Sequence, residues 1–242
     1  MKLEVRGLSR AGEFHDVSFG LRTGEILGIT GLEGSGRSAV ARALFGAPPA
    51  EAGEILLNAE PVTIRSISDA IRCGLGYVPE ERQSLGLFDD LDVESNLGIL
   101  RVDSESKTGL IDRNRLRQLA LAMQQKLRIK FDRPDAPIGN LSGGNQQKVL
   151  IGRWLSVEPE VLVMNEPTRG VDIGAKDEIC RFIRGLAAEG CSFIVSTSDL
   201  DELMRLADRV LVMHSGRIVA EFPRAGLRRE ELIHAAGALR PA

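Results

Sequence analysis

A glycine-rich stretch, GLEGSGRS at residues 31–38, has the spacing of a loop that binds phosphate. It matches the pattern G-x-x-x-x-G-K-[S/T] at Gly31, Gly36 and Ser38, whereas Arg37 stands at the lysine position. In such a loop the backbone N–H groups and the N-terminus of the following helix converge on an anion. Because a glycine-rich turn is more often only a turn, the stretch alone does not establish a nucleotide site.

Three further stretches place polar residues where predicted strands and helices end or begin. LSGGNQQK, residues 141–148, puts a serine and two glycines directly before a helical pattern. VLVMNEPTRGVD at 161–172 is an apolar strand that ends in polar residues, and IVSTSDLDEL at 194–203 follows the same scheme. Each also has an ordinary interpretation, a capped helix start or a strand-to-loop junction. Ligands of parallel sheets bind at the carboxyl ends of strands, so we expect these ends to converge on one site.

The elements that would position these residues alternate between strands and helices along the chain. The predicted strands are residues 15–21, 25–30, 54–57, 75–78, 161–165 and 192–196, with a hairpin over 209–222 that turns at Ser215 and Gly216; the predicted helices include 38–46, 175–190 and 199–207. This alternation predicts an α/β fold with a mostly parallel sheet covered by helices. Residues 87–140 are mainly helical and charged, so we interpret them as a helical insertion into a discontinuous core formed by 1–86 and 141–242.

Composition excludes several classes of protein. The 242 residues carry a net charge of −3 and contain no basic tract, which argues against a nucleic-acid-binding surface. No apolar run approaches the roughly 20 residues of a membrane span, and the first residues lack the apolar segment of a signal peptide. Three unclustered cysteines, Cys73, Cys180 and Cys191, are expected to be buried free thiols rather than metal ligands or disulfides.

Together and in this order, the motifs resemble those of the ATP-binding cassette (ABC) ATPases, in which LSGG is the signature motif. GLEGSGRS, YVPEER, LSGGNQQK, NEPTRGVDIGAK and ADRVLVMHSGRI are most similar to the second, C-terminal cassette of fused ATPases that power bacterial monosaccharide import of the ribose, galactose and xylose types. The resemblance covers nearly the whole chain. It implies a P-loop NTPase core with a mostly parallel sheet, an antiparallel β element and a helical subdomain, and it implies ATP and Mg²⁺ as ligands.

The resemblance also implies roles for individual residues. The phosphates would be bound by Gly31, Leu32, Glu33, Gly34, Ser35, Gly36, Arg37, Ser38 and Ala39, and the metal by Ser38, Glu80 and Asn165. Glu166 corresponds to the general base, and Ser198 to the position of a catalytic switch histidine. Ser142, Gly143 and Gly144 would contact the γ-phosphate of an ATP held by an opposite cassette, and Asp172 lies in the loop that would cross the interface between the two.

Four of these positions depart from the general cassette, and all four lie on the side that would hold the chain's own ATP. Arginine replaces lysine at 37, glutamate replaces glutamine at 80, asparagine replaces aspartate at 165, and serine replaces histidine at 198. An amide oxygen is a weaker ligand for a hard cation than a carboxylate. The signature is intact, so the hypothesis is an asymmetric pair in which this domain hydrolyses ATP poorly and completes the site of its partner.

The implied partners are a second cassette in a head-to-tail pair, expected to be the N-terminal half of one fused chain, membrane permease subunits and, indirectly, a periplasmic sugar-binding protein. The implied location is the cytoplasmic face of the cell membrane. Nucleic acid is not an implied partner, and the sequence does not identify the sugar. A nucleotide-binding regulatory module with little hydrolysis, and an ABC ATPase outside transport, remain alternatives.

No aromatic residue lies clearly upstream of the phosphate loop to stack on adenine. Phe14 is the nearest but is expected in the core, and Arg10 could stack instead.

Overall fold

A computed structural model describes residues 1–101 and 112–237 of the chain. The chain divides into two compact units. Unit 1 comprises Met1–Tyr77, Glu160–Pro167 and the residues from Ile183 onward; unit 2 comprises the described residues of Val78–Pro159 and Thr168–Phe182.

A small antiparallel sheet opens unit 1. Within the described residues it contains β1 (Leu3–Arg10), β2 (Phe14–Leu21), β4 (Ala52–Leu57) and β5 (Glu60–Val62), in the order β2-β1-β4-β5. Alternate residues of β1 and β2 are buried, as expected for strands with one face on the core.

The second sheet of the described residues has six strands in the order β10-β9-β3-β8-β7-β6. They are β3 (Ile26–Thr30), β6 (Leu75–Val78), β7 (Val161–Asn165), β8 (Ser192–Ser196), β9 (Arg209–His214) and β10 (Arg217–Pro223). Strand β3 pairs in parallel with β8 and β9, β7 pairs in parallel with β8, and β10 returns antiparallel to β9. Every residue of β3, β7 and β8 is buried, which is typical of parallel strands covered on both faces.

The helices fall into both units. Those with residues in unit 1 are α1 (Arg37–Leu44), α2 (Ile67–Arg72), α6 (Ile173–Ala188, which begins in unit 2), α7 (Leu200–Leu206) and α8 (Arg229–Ala236). Unit 2 contains a π-helical turn (Arg82–Gly86), α3 (Val93–Gly98), a 3-10 turn (Ile99–Arg101), α4 (Arg113–Leu127) and α5 (Gly143–Leu155). Helix α5 packs closely on its neighbours, because a Cβ on Gly152 would lie 2.7 Å from Leu127 and 3.0 Å from Leu97.

The predicted core strands and helices are confirmed, most within two residues of their ends, and the hairpin turns at Ser215 and Gly216 as expected. Residues 15–21 and 54–57 lie in the antiparallel sheet, whereas β5 and α2 were not predicted. Residues 102–111 of the predicted insertion lie outside the described residues.

None of the three cysteines, all of which lie in the described part of the chain, forms a disulfide. The expectation of three buried thiols is wrong for Cys73 and Cys191, which are half-buried, and holds for Cys180. Each of the two half-buried cysteines lies next to a turn glycine that follows a helix, Gly74 or Gly190, where the chain runs near the surface. Among the described residues, no helix combines the length and the apolar character needed to cross a bilayer.

Candidate functional site

The phosphate loop connects β3 to α1 in unit 1. Gly34 and Gly36 have φ angles of 79° and 94°, which favour glycine, and a Cβ on Gly36 would lie 2.7 Å from the carbonyl oxygen of Glu13. Gly31 is equally constrained, because a Cβ there would lie 2.6 Å from the hydroxyl of Ser35. That buried hydroxyl has no hydrogen-bond partner among the described residues. A glycine cradle around an unpartnered donor at the start of a helix fits a bound phosphate.

Ser38 and Asn165 lie together beside this loop. The Ser38 hydroxyl donates to Asn165 Oδ1 at 3.1 Å, and Asn165 ends β7 with 1% of its surface exposed. The Asn165 side chain also hydrogen-bonds Tyr77, whose pKa is raised by burial, and the Tyr77 ring stacks on Phe45 at 5.2 Å. Two neutral oxygens can ligate a hard cation, although less strongly than a carboxylate. In the described ranges, no group of three His, Cys, Asp or Glu residues could hold a metal.

Glu166 follows β7 directly and is the most heavily hydrogen-bonded group of the site. Its backbone has a φ of 50°, an uncommon value for a residue with a side chain. The carboxylate accepts hydrogen bonds at 2.9 Å from the Thr197 hydroxyl and from both the N–H and the hydroxyl of Ser198. It also forms an ion pair with Arg37, whose Nη2 lies 2.5 Å from Glu166 Oε1. Burial alone would raise the pKa of Glu166, but the charge of Arg37 and the bonds from Ser198 and Thr197 lower it.

The Arg37–Glu166 ion pair is buried, with side-chain exposures of 10% and 9%. Arg37 Nη1 also donates to the Ser196 hydroxyl at 3.3 Å, and Arg37 Nε has no partner among the described residues. The structure therefore brings Arg37, Asn165, Glu166 and Ser198 into one polar cluster at the ends of β7 and β8. The pairing of Arg37 with the carboxylate that was predicted as the base could not be read from the sequence.

The second group of predicted site residues lies in unit 2, at the starts of α5 and α6. Ser142 precedes α5 without capping it, and its hydroxyl accepts from the Asn145 amide at 2.9 Å. A Cβ on Gly144 would lie 2.6 Å from the Cβ of Ala175, so the two helices meet closely at this glycine. The carboxylate of Asp172 accepts from the Ala175 N–H at 2.9 Å. The starts of α5 and α6, which carry the signature and Asp172, therefore lie side by side.

Glu80, predicted at the metal, also lies in unit 2, and its carboxylate pairs with Arg169 there. The structure does not show it with Ser38 and Asn165, which belong to unit 1. Sequence reasoning also missed Lys148 in the LSGGNQQK motif. Its side chain is 3% exposed, and its ammonium donates to Glu178 at 2.7 Å and to the carbonyl of Arg128 at 3.1 Å.

Of the two residues considered for adenine stacking, Phe14 is fully buried, which confirms its expected place in the core. Arg10 is held by Glu13, Glu51 and the carbonyl of Pro49.

Comparison with known proteins now decides the family. The family model described as ABC transporter matches residues 14–169, which run from β2 through the phosphate loop, the signature and Glu166. The chain belongs to the ABC transporter family.

Two curated relatives illustrate where the cassette stands in this family. It is 44% identical over 234 residues to the ribose import ATP-binding protein RbsA 2 of Streptomyces avermitilis, covering 97% of this chain and 46% of the relative. It is 41% identical over 235 residues to the ribose import ATP-binding protein RbsA of Geobacillus kaustophilus, covering 97% of this chain and 48% of the relative. The cassette thus spans about half the length of the relatives it matches.

Solved structures show the same fold. A nucleotide-free ATP-binding cassette from an ABC transporter superimposes with a TM-score of 0.82 at 24% identity, covering 97% of this chain and 98% of that one. A dimeric cassette in a post-hydrolysis state, bound to ADP and Pi, gives a TM-score of 0.77 at 21% identity, covering 93% of this chain and 100% of that one. The predicted P-loop NTPase fold, with a mostly parallel sheet and an antiparallel sheet, is confirmed.

Proposed function

We propose that this chain is the ATP-hydrolysing cassette of a bacterial monosaccharide importer and couples ATP binding and hydrolysis to transport. The observation that carries the proposal is the polar cluster in unit 1, where a phosphate loop, Ser38, Asn165 and Glu166 meet at the ends of parallel strands. The names of the relatives, both ribose import ATP-binding proteins, support a sugar as the transported class.

At the chain's own site, residues 31–39 would hold the triphosphate. Ser38 and Asn165 would hold a magnesium ion, with Glu80 as a third candidate, and such an ion would neutralise charge on the phosphates. Glu166 would accept a proton from the attacking water as its oxygen bonds to the γ-phosphorus and the bond to the leaving ADP oxygen breaks. Ser198 would position the Glu166 carboxylate, since it donates two hydrogen bonds to it.

We propose that ATP hydrolysis at this chain's own nucleotide site is slow. The ion pair with Arg37 lowers the pKa of Glu166 and so weakens it as a base, and Asn165 supplies no charge to a metal. These two observations also favour a second candidate function, a cassette that binds nucleotide and barely hydrolyses it. In either case Ser142, Gly143 and Gly144 would complete the ATP site of a partner cassette, with Asp172 in the loop that meets that partner.

The partner cassette is proposed to be the N-terminal half of a longer fused chain, since the curated relatives are about twice as long as this one. The pair would act with membrane permease subunits at the cytoplasmic face of the membrane, and indirectly with a periplasmic sugar-binding protein. Residues 87–140 would form the helical subdomain, directly before the signature at residues 141–144. The acidic balance of the chain argues against nucleic acid as a partner.

The test is ATP hydrolysis by the purified chain with Mg²⁺, beside Asn165→Asp, Glu166→Gln and Ser142→Arg. We expect weak turnover in the parent, more in Asn165→Asp, and none in Glu166→Gln. Glu231→Gln, at an exposed glutamate of α8, is the matched control and should behave as the parent.

Turnover that Glu166→Gln leaves intact would refute the assigned base. No turnover in any of these variants, together with tight binding of ATP, would establish the second candidate function instead. In a preparation with both cassettes, transport ATPase that survives Ser142→Arg would refute the asymmetric pair.

A further inference from the structure

Arg82 lies beside the start of the signature helix α5. A Cβ placed on Gly143 would be 3.1 Å from Arg82 Nη2 and 3.8 Å from its Cζ. The guanidinium is held there by one hydrogen bond, from Arg82 Nε to Gln146 Oε1 at 3.2 Å. Gln146 is itself buried and is anchored through its own amide to the carbonyl of Ile138. The position of the Arg82 guanidinium is therefore fixed by α5.

No carboxylate of the described residues compensates the charge of this guanidinium. A guanidinium has five N–H donors, yet among the described residues Arg82 makes a single hydrogen bond and no ion pair. Its Nη1 is buried and has no hydrogen-bond partner in the part of the chain that the structure describes. The adjacent acids are engaged elsewhere, because Glu80 pairs with Arg169 and Glu81 accepts from the Ser84 hydroxyl at 2.6 Å. Burial lowers the pKa of Arg82, as expected for a cation without a nearby anion.

The start of α5 is electropositive as well. The N-terminus of a helix carries about half a positive charge and several N–H groups without intrahelical acceptors. Ser142 does not cap this end, because its hydroxyl is turned to the side chain of Asn145. Two positive groups thus lie side by side, an arrangement that disfavours folding and favours an anion placed against both.

We propose that Arg82 is a phosphate-binding residue of the signature site. Its Nη2, which lies beside Gly143, would donate to the terminal phosphate of a nucleotide held by a second cassette, next to the Ser142 hydroxyl and the first N–H groups of α5. Hydrogen bonds from a guanidinium to a phosphate are charge-assisted and about twice as strong as neutral ones, and an arginine supplied by a partner stabilises the charge that develops during phosphoryl transfer. Gln146 is then a positioning residue for Arg82. This inference rests on the proposed function, because it needs a partner cassette that presents ATP to the signature.

The test uses the full-length two-cassette protein with its permease. The kcat and KM of ATP hydrolysis are measured for Arg82→Gln, Arg82→Lys and Ser142→Arg, with Arg133→Gln as the control at an exposed arginine of unit 2 that pairs with Asp135. We expect Arg82→Gln to lower kcat by about 10³-fold with little change in KM, the pattern of a contact made in the transition state. Arg82→Lys should recover part of the lost activity, because it restores the positive charge without the planar guanidinium group.

Two further readouts separate this role from a structural one. Trapping of ADP with orthovanadate, which mimics the transferred phosphate, should be lost in Arg82→Gln while binding of ATP is kept. The midpoint of thermal unfolding of the same preparations without nucleotide should not fall, since the variant removes an uncompensated cation. A fall in the midpoint that parallels the loss of activity would overturn the proposal.

The Ser142→Arg variant separates a failure of the Arg82 proposal from a failure of the signature site on which it rests. If it abolishes hydrolysis and Arg82→Gln matches the parent, the proposal for Arg82 is overturned and the proposed function stands. If Ser142→Arg also matches the parent, the signature completes no ATP site, and the asymmetric pair and the proposal for Arg82 fail together.

Discussion

Replacing Glu166 by glutamine should destabilise the chain more than replacing Arg37 by methionine, although both changes break the same buried ion pair. Glutamine leaves a buried guanidinium opposite a neutral acceptor, and its other partner among the described residues is the Ser196 hydroxyl at 3.3 Å. Removing one partner of a buried pair costs about 3–5 kcal/mol, and the lower end, about 3 kcal/mol, applies because the glutamine oxygen still accepts from Arg37.

The Arg37→Met variant leaves the buried Glu166 carboxylate with more hydrogen-bond partners than Glu166→Gln leaves to the Arg37 guanidinium. The carboxylate keeps three hydrogen bonds, from the Thr197 hydroxyl and from the N–H and hydroxyl of Ser198. The loss is one charged hydrogen bond, about 1.5–3 kcal/mol, partly offset by the burial of the apolar methionine side chain. The net cost should be about 1 kcal/mol. For a chain of this size, 1 kcal/mol shifts the unfolding midpoint by about 2–4 °C.

The assay is urea unfolding followed by far-UV circular dichroism for the parent, both single variants and the double variant. Since the double variant leaves no buried charge unpaired, the cycle should give a coupling energy of about 2 kcal/mol. Glu231→Gln, at an exposed glutamate, should stay within about 0.5 kcal/mol of the parent. Two results would refute the reasoning: a loss of stability in Arg37→Met equal to that in Glu166→Gln, or a coupling energy below about 0.5 kcal/mol.

Three further outcomes are expected. The lowered pKa of Glu166 contributes stability that is present above its ordinary value of 4.5 and lost as pH falls through the folded value, so Glu166→Gln should flatten acid unfolding curves below about pH 5. Urea unfolding of Glu178→Gln should show a loss of about 1–2 kcal/mol, because it strands buried Lys148, whereas Lys148→Met should be nearly neutral; the reverse order would contradict this. Gly144→Ala, whose Cβ would meet Ala175 at 2.6 Å, should cost about 1–3 kcal/mol in the same assay, and parent-like stability would show that the helices can separate.

The sequence predicted the sheet core because burial dictates its composition. Strands β7 and β8 are buried along their whole length, have apolar central residues and were predicted residue for residue. Strand β5 has three residues, none of them buried, so no periodic pattern marks it. Helix α2 has six residues, but its start carried a readable signal, since Ser66 accepts from the Asp69 N–H as an N-cap. Short elements at the surface are thus better found from their caps than from their hydrophobic pattern.

The site was predicted as a set of residue types but not as a set of contacts. Motif spacing indicated Arg37 and Glu166 separately, while their ion pair depends on side-chain directions that no spacing encodes. The same holds for Lys148 and Glu178, which are 30 residues apart. It holds also for Arg82, whose buried Nη1 has no partner within the described ranges.

The residue types at positions 37, 165 and 166 explain one another. A buried guanidinium at position 37 requires an anion, and asparagine at 165 supplies none, so Glu166 is the carboxylate that Arg37 pairs with. The same contact that stabilises Arg37 lowers the basicity of Glu166. Asn165→Asp would therefore act twice, as a stronger metal ligand and as a negative charge that raises the pKa of Glu166. If Asn165→Asp gains turnover and the acid limb of its pH–rate profile lies at higher pH than that of the parent, the raised pKa of Glu166 contributes. If the acid limb does not move, the stronger metal ligand is the sole cause of the gain.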